Sequence, residues 1–226
     1  GLSICMRQLR GCKLNPKSGI INVCSGEPLP SLARRSANDG LHGLEWAVGI
    51  PGTVGGAIAM NAGAGGSCIE QTLQSVKVLN ISEGKQFELA SRDLNFNYRQ
   101  SLLQQKELIL LSAEFKLEPG HKKHELNNIT NAHMSHRIST QPYKKHSCGS
   151  VFRNPEPLKA AQLIDELGLK GLRVGGAQIS TIHANFIINV NNASSEDIQE
   201  LISVIQKKVK TSYGISLQTE VKAYGF

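Results

Sequence analysis

A glycine-rich stretch at residues 49–66 constrains this chain more than any other part of it. Seven of its eighteen residues are glycine and none is charged. A glycine inside a helix or strand costs roughly 0.5–1 kcal/mol relative to alanine. This density is therefore typical of backbone that turns through positive φ or lies directly against a ligand. We expect that ligand to carry a phosphate group.

Two familiar phosphate-binding motifs do not fit the stretch. A Walker loop ends in Gly-Lys-Ser/Thr, but no lysine lies between residues 49 and 66, and the GxGxxG spacing of the dinucleotide fingerprint is also missing. One remaining interpretation is a neutral nest of backbone N–H groups that binds an anion. The other is a glycine-rich turn packed with small residues. The residues alone leave both open.

Composition is that of a folded domain large enough for an enzyme. The 226 residues are 40% hydrophobic and 19% charged, which is ordinary for a globular protein. The net charge of +7 favours an anionic partner, but the basic residues are scattered and only 5% of residues are aromatic, so nucleic acid is not indicated. No apolar stretch reaches the length of a membrane span.

Cysteine and histidine spacing argues against a metal site or a disulfide framework. The five cysteines form no CxxC pair, and free thiols suit a reducing cytoplasm. His121 and His124, like His133 and His136, could share a helix face, but metal binding would also require an acid or cysteine partner in register. We therefore predict no metal.

The pattern of apolar residues predicts an α+β protein whose character changes near residue 119. Strands are predicted at residues 20–24, 75–80, 86–90 and 108–117, and Glu118-Pro119-Gly120 marks the expected domain boundary. Beyond it, one helix carries Leu163, Ile164 and Leu167 and stops at Gly168, and a second is capped by Ser194 and ends before Gly214. Strands are predicted at residues 184–190 and 215–221.

Five separated motifs, in one order, resemble those of the UDP-N-acetylenolpyruvoylglucosamine reductase family. They are GLEWAVGIPGTVGGAIAMNAGA at 43–64, NYRQS at 97–101, CGSVFRNP at 148–155, STIHANFIIN at 180–189 and LQTEVK at 217–222. The resemblance covers essentially the whole chain. It implies an FAD-binding domain of the PCMH/vanillyl-alcohol-oxidase-like type, followed by a smaller α+β substrate-binding domain. We expect residues 1–118, completed by a C-terminal strand at 215–226, to form the first, and residues 119–214 the linker and the second.

The resemblance also implies a reaction. It is the reduction of UDP-N-acetylglucosamine enolpyruvate to UDP-N-acetylmuramate for peptidoglycan synthesis, with FAD bound, NADPH as co-substrate and a cytoplasmic location. Apart from the nucleotide-sugar substrate, we expect no nucleic acid, membrane or obligatory protein partner. Two alternatives remain: another FAD-dependent oxidoreductase of the same fold, or a noncatalytic fragment. The family has a further N-terminal segment with a second glycine-rich FAD loop, so we expect a truncated copy whose flavin surface is incomplete.

Site residues follow from the same resemblance. Ser150 is the expected proton donor, Arg99 the carboxylate-binding guanidinium and Glu220 the group that helps stabilise the intermediate. The residues alone favour a surface arginine at position 99, and for Glu220 they leave open an acid on a solvated strand face. Substrate contacts are expected from Arg99, Arg137, Gln141, Asn154 and His183, and FAD contacts from Gly49, Ile50, Pro51, Gly52, Thr53, Gly55, Gly56, Ala57 and Asn61.

Overall fold

Two compact units make up the chain. The structure, a computed structural model, describes residues 4–104 and 107–224, and its contacts separate Gly1–Ser135 from His136–Phe226. Each unit has its own hydrophobic core. Within the described residues, every helix is too short or too polar to cross a bilayer.

The first unit is built on a five-stranded antiparallel sheet with helices beside it. In chain order its elements are β1 (Cys12–Asn15), β2 (Ile20–Cys24), α1 (Leu29–Asn38), α2 (Val54–Ala59), β3 (Gly63–Ala64), β4 (Ser67–Cys68), β5 (Leu73–Asn80), β6 (Lys85–Ala90), β7 (Leu108–Lys116) and most of α3 (Lys123–Thr140). The strand order in the sheet is β1-β2-β7-β5-β6, and β3 and β4 form a separate hairpin. The four strands predicted in this half of the chain are thus present, and β2 has the predicted bounds.

Period-two alternation explains why one face of this sheet is buried. Ile21 and Val23 of β2, and Val76 and Val78 of β5, are almost fully buried in the first core. Helix α1 covers the core with a stripe at helical spacing, since Leu29, Leu32 and Ala33 are fully buried.

The boundary between the units differs from the one expected. It lies at residues 135/136 rather than 118/119, because most of α3 belongs to the first unit. Leu126 is buried, Met134 packs against the first core, and Asn127 donates to Asn38 Oδ1 at 2.9 Å. A helix with so few apolar residues gives little sequence indication of what it packs on.

The second unit is a four-stranded antiparallel sheet covered by helices. Its elements are the end of α3, then β8 (His146–Ser150), α4 (Ala160–Glu166), β9 (Arg173–Val174), β10 (Ala177–Ile179), β11 (Phe186–Asn189) and α5 (Ser195–Tyr213), with strand order β8-β11-β10-β9. The two helices predicted here are confirmed. Leu201, Ile205 and Val209 of α5 are buried, and Gly168 and Gly214 end α4 and α5 with positive φ.

The C-terminal segment groups with the second unit, whereas it was expected to complete the first domain. Leu217 is buried in the second core, and Thr219 forms an isolated antiparallel bridge with Phe152. The predicted strand at 215–221 is thus reduced to one bridge beside the end of β8. The last two residues of the C-terminal segment expected at 215–226, residues 225 and 226, lie outside the described residues.

Helix α5 depends on a capping box at its N-terminus. Ser194 Oγ accepts from the Asp197 N–H at 3.1 Å, and Asp197 Oδ2 accepts from the Ser194 N–H at 3.0 Å. We expect Ser194→Ala to lower the free energy of unfolding by about 1 kcal/mol, because the Asp197 N–H loses its side-chain acceptor. Chemical denaturation checks this. Ser203→Ala, on an exposed position of the same helix, is the control and should be neutral or slightly stabilising.

Candidate active site

The glycine-rich stretch forms a short helix that packs closely on the end of β2. Thr53 caps α2, its Oγ1 accepting from the Gly56 N–H at 3.3 Å. A Cβ at position 55 would lie 2.9 Å from Ser25 Cβ, so only glycine lets α2 approach there. Gly52 has φ +139° and open space where a Cβ would point. The stretch therefore combines a packing glycine with one whose backbone conformation requires it.

Most N–H groups of the stretch are already used within the protein. The Val54 N–H donates to Glu27 O at 2.9 Å and the Gly55 N–H to Ser25 O at 2.8 Å. The Ile50, Gly56 and Ala57 N–H groups likewise donate to Ala47 O, Thr53 Oγ1 and Thr53 O. Among the described residues, the Gly52 and Thr53 N–H groups have no protein acceptor. An anion could therefore be held by these two adjacent amides rather than by a nest along the whole stretch.

Several residues expected to contact the cofactor are buried in the first unit. Gly49 is buried at the end of a single-turn helix, Glu45–Gly49, and Ala57 packs in the first core. Asn61 is only 6% exposed and its side chain is fully engaged. Its Oδ1 accepts from the Glu70 N–H at 3.2 Å, and its Nδ2 lies 3.4 Å from both Glu70 Oε2 and Asn97 O. Asn61 thus links the glycine-rich stretch to the segment that carries Arg99.

Arg99 sits at the tip of a tight two-residue turn in an unfavourable backbone conformation. Asn97 and Gln100 exchange backbone hydrogen bonds of 3.2 and 3.1 Å, which leaves Tyr98 and Arg99 as the turn residues. Arg99 has φ +57°, and the third residue of such a turn is normally glycine or asparagine. A non-glycine residue there costs of order 1 kcal/mol or more, and strain of this kind clusters at functional sites.

The Arg99 side chain is half-buried and held in place. Its Nη2 donates to Gly63 O at 3.3 Å, and its Cζ lies 5.0 Å from the centre of the Tyr98 ring. Both contacts orient the guanidinium. The hydrogen bond to Gly63 O therefore ties Arg99 to β3, the strand that follows α2 in the chain.

In the second unit, Ser150 and Glu220 lie on adjoining backbone segments. Ser150 ends β8 opposite Phe186, directly after Gly149 with φ +84°. The Glu220 N–H donates to Val151 O at 2.8 Å. Both residues are half-buried. The serine and the glutamate, 70 positions apart in sequence, are thus brought together by the bridge at Phe152 and Thr219.

Three of the expected substrate residues make contacts that the sequence did not predict. Arg137 donates through Nε and Nη2 to Gln141 Oε1, at 3.2 and 2.8 Å, so these two residues form one pair at the end of α3. Asn154 Oδ1 accepts from the Ala160 N–H at 3.1 Å, which ties the loop after Ser150 to the start of α4.

His183 borders a cavity of about 490 Å³ in the second unit, together with Lys159, Gln162, Asp165 and Lys170. Its ring packs edge-on against Phe186, and its Nδ1 accepts from the Asn185 N–H at 3.3 Å. Burial, reinforced by the charge of Lys170, lowers the pKa of His183 below its ordinary value.

This lowered pKa predicts a loss of stability in acid. The unfolded chain binds a proton at His183 as the pH falls through 6.5, while the folded chain resists doing so, so the free energy of unfolding decreases below that pH. His183→Asn, which retains an acceptor near Nδ1, should flatten this decrease. Denaturation midpoints measured from pH 7.5 to 5.0 check it, with His146→Asn, on an exposed position of β8, as control. Equal slopes for wild type and His183→Asn would contradict the prediction.

Sequence reasoning missed Ser101 and Gln104, which support the Arg99 turn. Ser101 is 1% exposed, and its Oγ donates to Ala59 O at 2.7 Å. Gln104 Nε2 reaches the same oxygen at 2.7 Å and Arg99 O at 3.2 Å. Ser101 belongs to the NYRQS motif and could have been noticed there, whereas nothing in the sequence distinguishes Gln104.

Two protein-family models match the chain, one in each half. The model described as "FAD binding domain" matches residues 1–90. The model described as "UDP-N-acetylenolpyruvoylglucosamine reductase, C-terminal domain" matches residues 141–224. Together with the mixed sheets and helices, these matches confirm the predicted α+β class and its order, an FAD-binding part followed by a second domain.

Individual proteins match over the whole chain. UDP-N-acetylenolpyruvoylglucosamine reductase of Prochlorococcus marinus strain MIT 9313 is 57% identical over 226 residues, which are all of this chain and 74% of that protein. The enzyme of strain NATL2A is 58% identical, and this chain covers 77% of it. The crystal structure of the Thermus caldophilus enzyme superposes with a TM-score of 0.78 at 36% identity, covering 89% of this chain and 71% of that one.

Proposed function

This chain belongs to the UDP-N-acetylenolpyruvoylglucosamine reductase family, and from that premise we propose how its own residues carry out the reaction. The chain is an FAD-dependent oxidoreductase of peptidoglycan precursor synthesis. It uses NADPH to reduce UDP-N-acetylglucosamine enolpyruvate to UDP-N-acetylmuramate. The observation that carries this conclusion is identity of 57% to a family member along all 226 residues. The cytoplasm, where NADPH and the nucleotide sugar are available, is the location we propose.

FAD fits the residues of the first unit. The Gly52 and Thr53 N–H groups lie side by side on an accessible loop without a protein acceptor, as two amides that hold a pyrophosphate oxygen should. The open space at Gly52 lets a ligand approach the backbone. When bound, FAD supplies hydride transfer between the nicotinamide nucleotide and the vinyl group of the substrate.

Arg99 is the residue we assign to the substrate carboxylate. Its planar guanidinium can donate two parallel hydrogen bonds to a carboxylate, which fixes the orientation of the enol ether beside it. The contacts with Gly63 O and the Tyr98 ring hold the side chain in place before the substrate arrives. A pre-oriented cation also stabilises the negative charge that develops next to the carboxylate during hydride addition.

Ser150 is the proton donor in this proposal. Addition of hydride to the terminal vinyl carbon leaves a carbanion, or enolate, at the neighbouring carbon. The Ser150 hydroxyl protonates that carbon and is reprotonated from solvent. A hydroxyl is a weak acid, so it suits only a strongly basic carbon of this kind. Glu220, on the adjoining backbone segment, is the group we assign to orienting the hydroxyl or an intervening water.

The cavity beside His183 is our candidate for the nucleotide part of the substrate. Its lining combines the ammonium groups of two lysines and two carboxylates, of which Lys170 and Asp165 pair with each other, with the amide of Gln162 and an imidazole whose pKa is lowered. Phosphates attract such ammonium groups, and the amide and imidazole can exchange hydrogen bonds with a base or sugar. We also propose Arg137, Gln141 and Asn154 as substrate residues, in addition to the hydrogen bonds that they make within the protein.

A spectroscopic assay tests the proposed function. Protein loaded with FAD should show a flavin absorption band that NADPH bleaches. Addition of UDP-N-acetylglucosamine enolpyruvate should restore the band, with one NADPH consumed for each UDP-N-acetylmuramate formed. A bleached flavin that recovers only with oxygen, or that accepts electrons from simple alcohols, would favour another flavin oxidoreductase. If the protein takes up no FAD under any condition, the proposed activity is excluded and the noncatalytic alternative is favoured.

A further inference from the structure

Gln104 lies at the meeting point of the glycine-rich helix and the Arg99 turn. Its Nε2 is 2.7 Å from Ala59 O, 3.2 Å from Arg99 O and 3.2 Å from Met60 Sδ. An amide nitrogen carries two protons, so these three acceptors account fully for its donors. Because Nε2 reaches both carbonyl oxygens, one side chain connects the backbone of Arg99 to the end of α2.

Ala59 O is available for this because of where the helix ends. Ala59 is the last residue of α2, and the final carbonyl groups of a helix have no partner within it. Ser101 Oγ also donates to Ala59 O, at 2.7 Å, so this one oxygen accepts from both side chains. Two donors from residues 101–104 thus fasten the segment after the turn to α2.

The turn at residues 97–100 requires stabilisation by such hydrogen bonds. Arg99 adopts φ +57°, which disfavours a residue with a side chain, and its neighbours Tyr98 and Gln100 are exposed. A turn with an accessible tip and a strained residue has alternative conformations of similar energy. Bonds to the Arg99 carbonyl select one of them and thereby set the direction in which the guanidinium leaves the backbone.

We infer that Gln104, assisted by Ser101, is a positioning residue for Arg99 in the reduction of the substrate. Gln104 acts through the Arg99 backbone rather than by touching the substrate. The inference rests on the proposed role of Arg99. It explains why a buried hydroxyl and an amide converge on a single helix-terminal carbonyl beside a strained arginine.

The test removes the amide donors in the FAD-loaded protein. Gln104→Met keeps the length of the side chain but donates no hydrogen bond. We expect substrate-dependent reoxidation of the flavin to slow about 10- to 100-fold, with KM for the enolpyruvyl substrate raised, because small displacements of a binding group have effects of this size. Reduction of the flavin by NADPH should keep its rate. Gln86→Met, on an exposed position of β6, is the matched control.

Two further measurements distinguish positioning from general destabilisation. In an Arg99→Lys background, Gln104→Met should cost less than about threefold, since residues that act as a unit are not additive. Hydrogen exchange of the Gln100 N–H, which donates to Asn97 O, should accelerate in Gln104→Met. If Gln104→Met does not fold, Ser101→Ala removes the other donor to Ala59 O and takes its place.

The results for Arg99→Lys and Gln104→Met distinguish the role of Gln104 from the role of Arg99. An impaired Arg99→Lys with a normal Gln104→Met overturns the inference and leaves the role of Arg99 intact. The inference is also overturned if Gln104→Met slows the Arg99→Lys protein by the same factor as it slows the wild type. A normal Arg99→Lys removes the role of Arg99 and the inference together.

Discussion

Replacing Ser150 by alanine should separate the two halves of the reaction. We expect NADPH to bleach the flavin of Ser150→Ala at the wild-type rate, because the hydroxyl takes no part in that step. Reoxidation by the enolpyruvyl substrate should be about 10²- to 10⁴-fold slower, the usual contribution of a positioned general acid. Stopped-flow absorbance measures both steps in one sample.

Matched variants make the assignment of Ser150 specific. Ser147→Ala changes the same residue type on the same strand, at an exposed position, and should leave both steps unchanged. Ser150→Cys retains a proton donor and should recover part of the lost rate. Product formed in deuterated water should carry deuterium at the carbon next to the carboxylate. Ser150→Ala should form this deuterated product more slowly. Unchanged turnover of Ser150→Ala would remove the serine from the mechanism.

Substitution of Arg99 should affect activity and stability in different ways. Arg99→Lys keeps the charge but not the planar pair of donors, and we expect substrate reduction to fall about 10²-fold, mostly through KM. Arg99→Ala and Arg99→Gly both remove the guanidinium and should be still less active. Of these two, the glycine variant should be more stable by about 1 kcal/mol, because glycine adopts φ near +57° without penalty.

This pair of variants tests the strained turn directly. Thermal or chemical denaturation of Arg99→Ala and Arg99→Gly compares two proteins that lack the same side chain, so the difference reports the backbone conformation. Equal stabilities would show that the turn relaxes away from positive φ when the arginine is absent. Full activity in Arg99→Lys would exclude binding of the carboxylate through two parallel hydrogen bonds.

Local patterns predicted the regular elements of both units. Helix α5 was recognisable because Ser194, the apolar residues at positions 201, 205 and 209, and Gly214 agree on one helix. Strand β2 was recognisable from two buried residues in alternation. Helix α3 was not assigned to the first unit, because Leu126 and Thr130 are its only buried residues and the bond from Asn127 to Asn38 joins segments far apart in sequence.

The chemistry of the site depends on contacts that no local pattern contains. The glycine-rich stretch indicated an amide-lined loop, but which amides remain available is decided by the carbonyl groups of Ser25 and Glu27. The motif NYRQS contains no glycine, so the positive φ of Arg99 could not be expected from it. Family resemblance selected Ser150 and Glu220, and the proximity of their backbones depends on a bridge between residues 152 and 219.

Helix α2 sets the distance between the loop that carries the Gly52 and Thr53 amides and the Ala59 carbonyl. Its six residues span about 9 Å. At one end, the loop carries the two amides offered to the cofactor, and at the other, the Ala59 carbonyl receives Ser101 and Gln104. One inserted residue would rotate that carbonyl by about 100° and lengthen the spacing by about 1.5 Å, and so move the carboxylate-binding arginine relative to the phosphate-binding loop. Insertions and deletions within residues 54–59 should therefore be far more damaging than most single substitutions there.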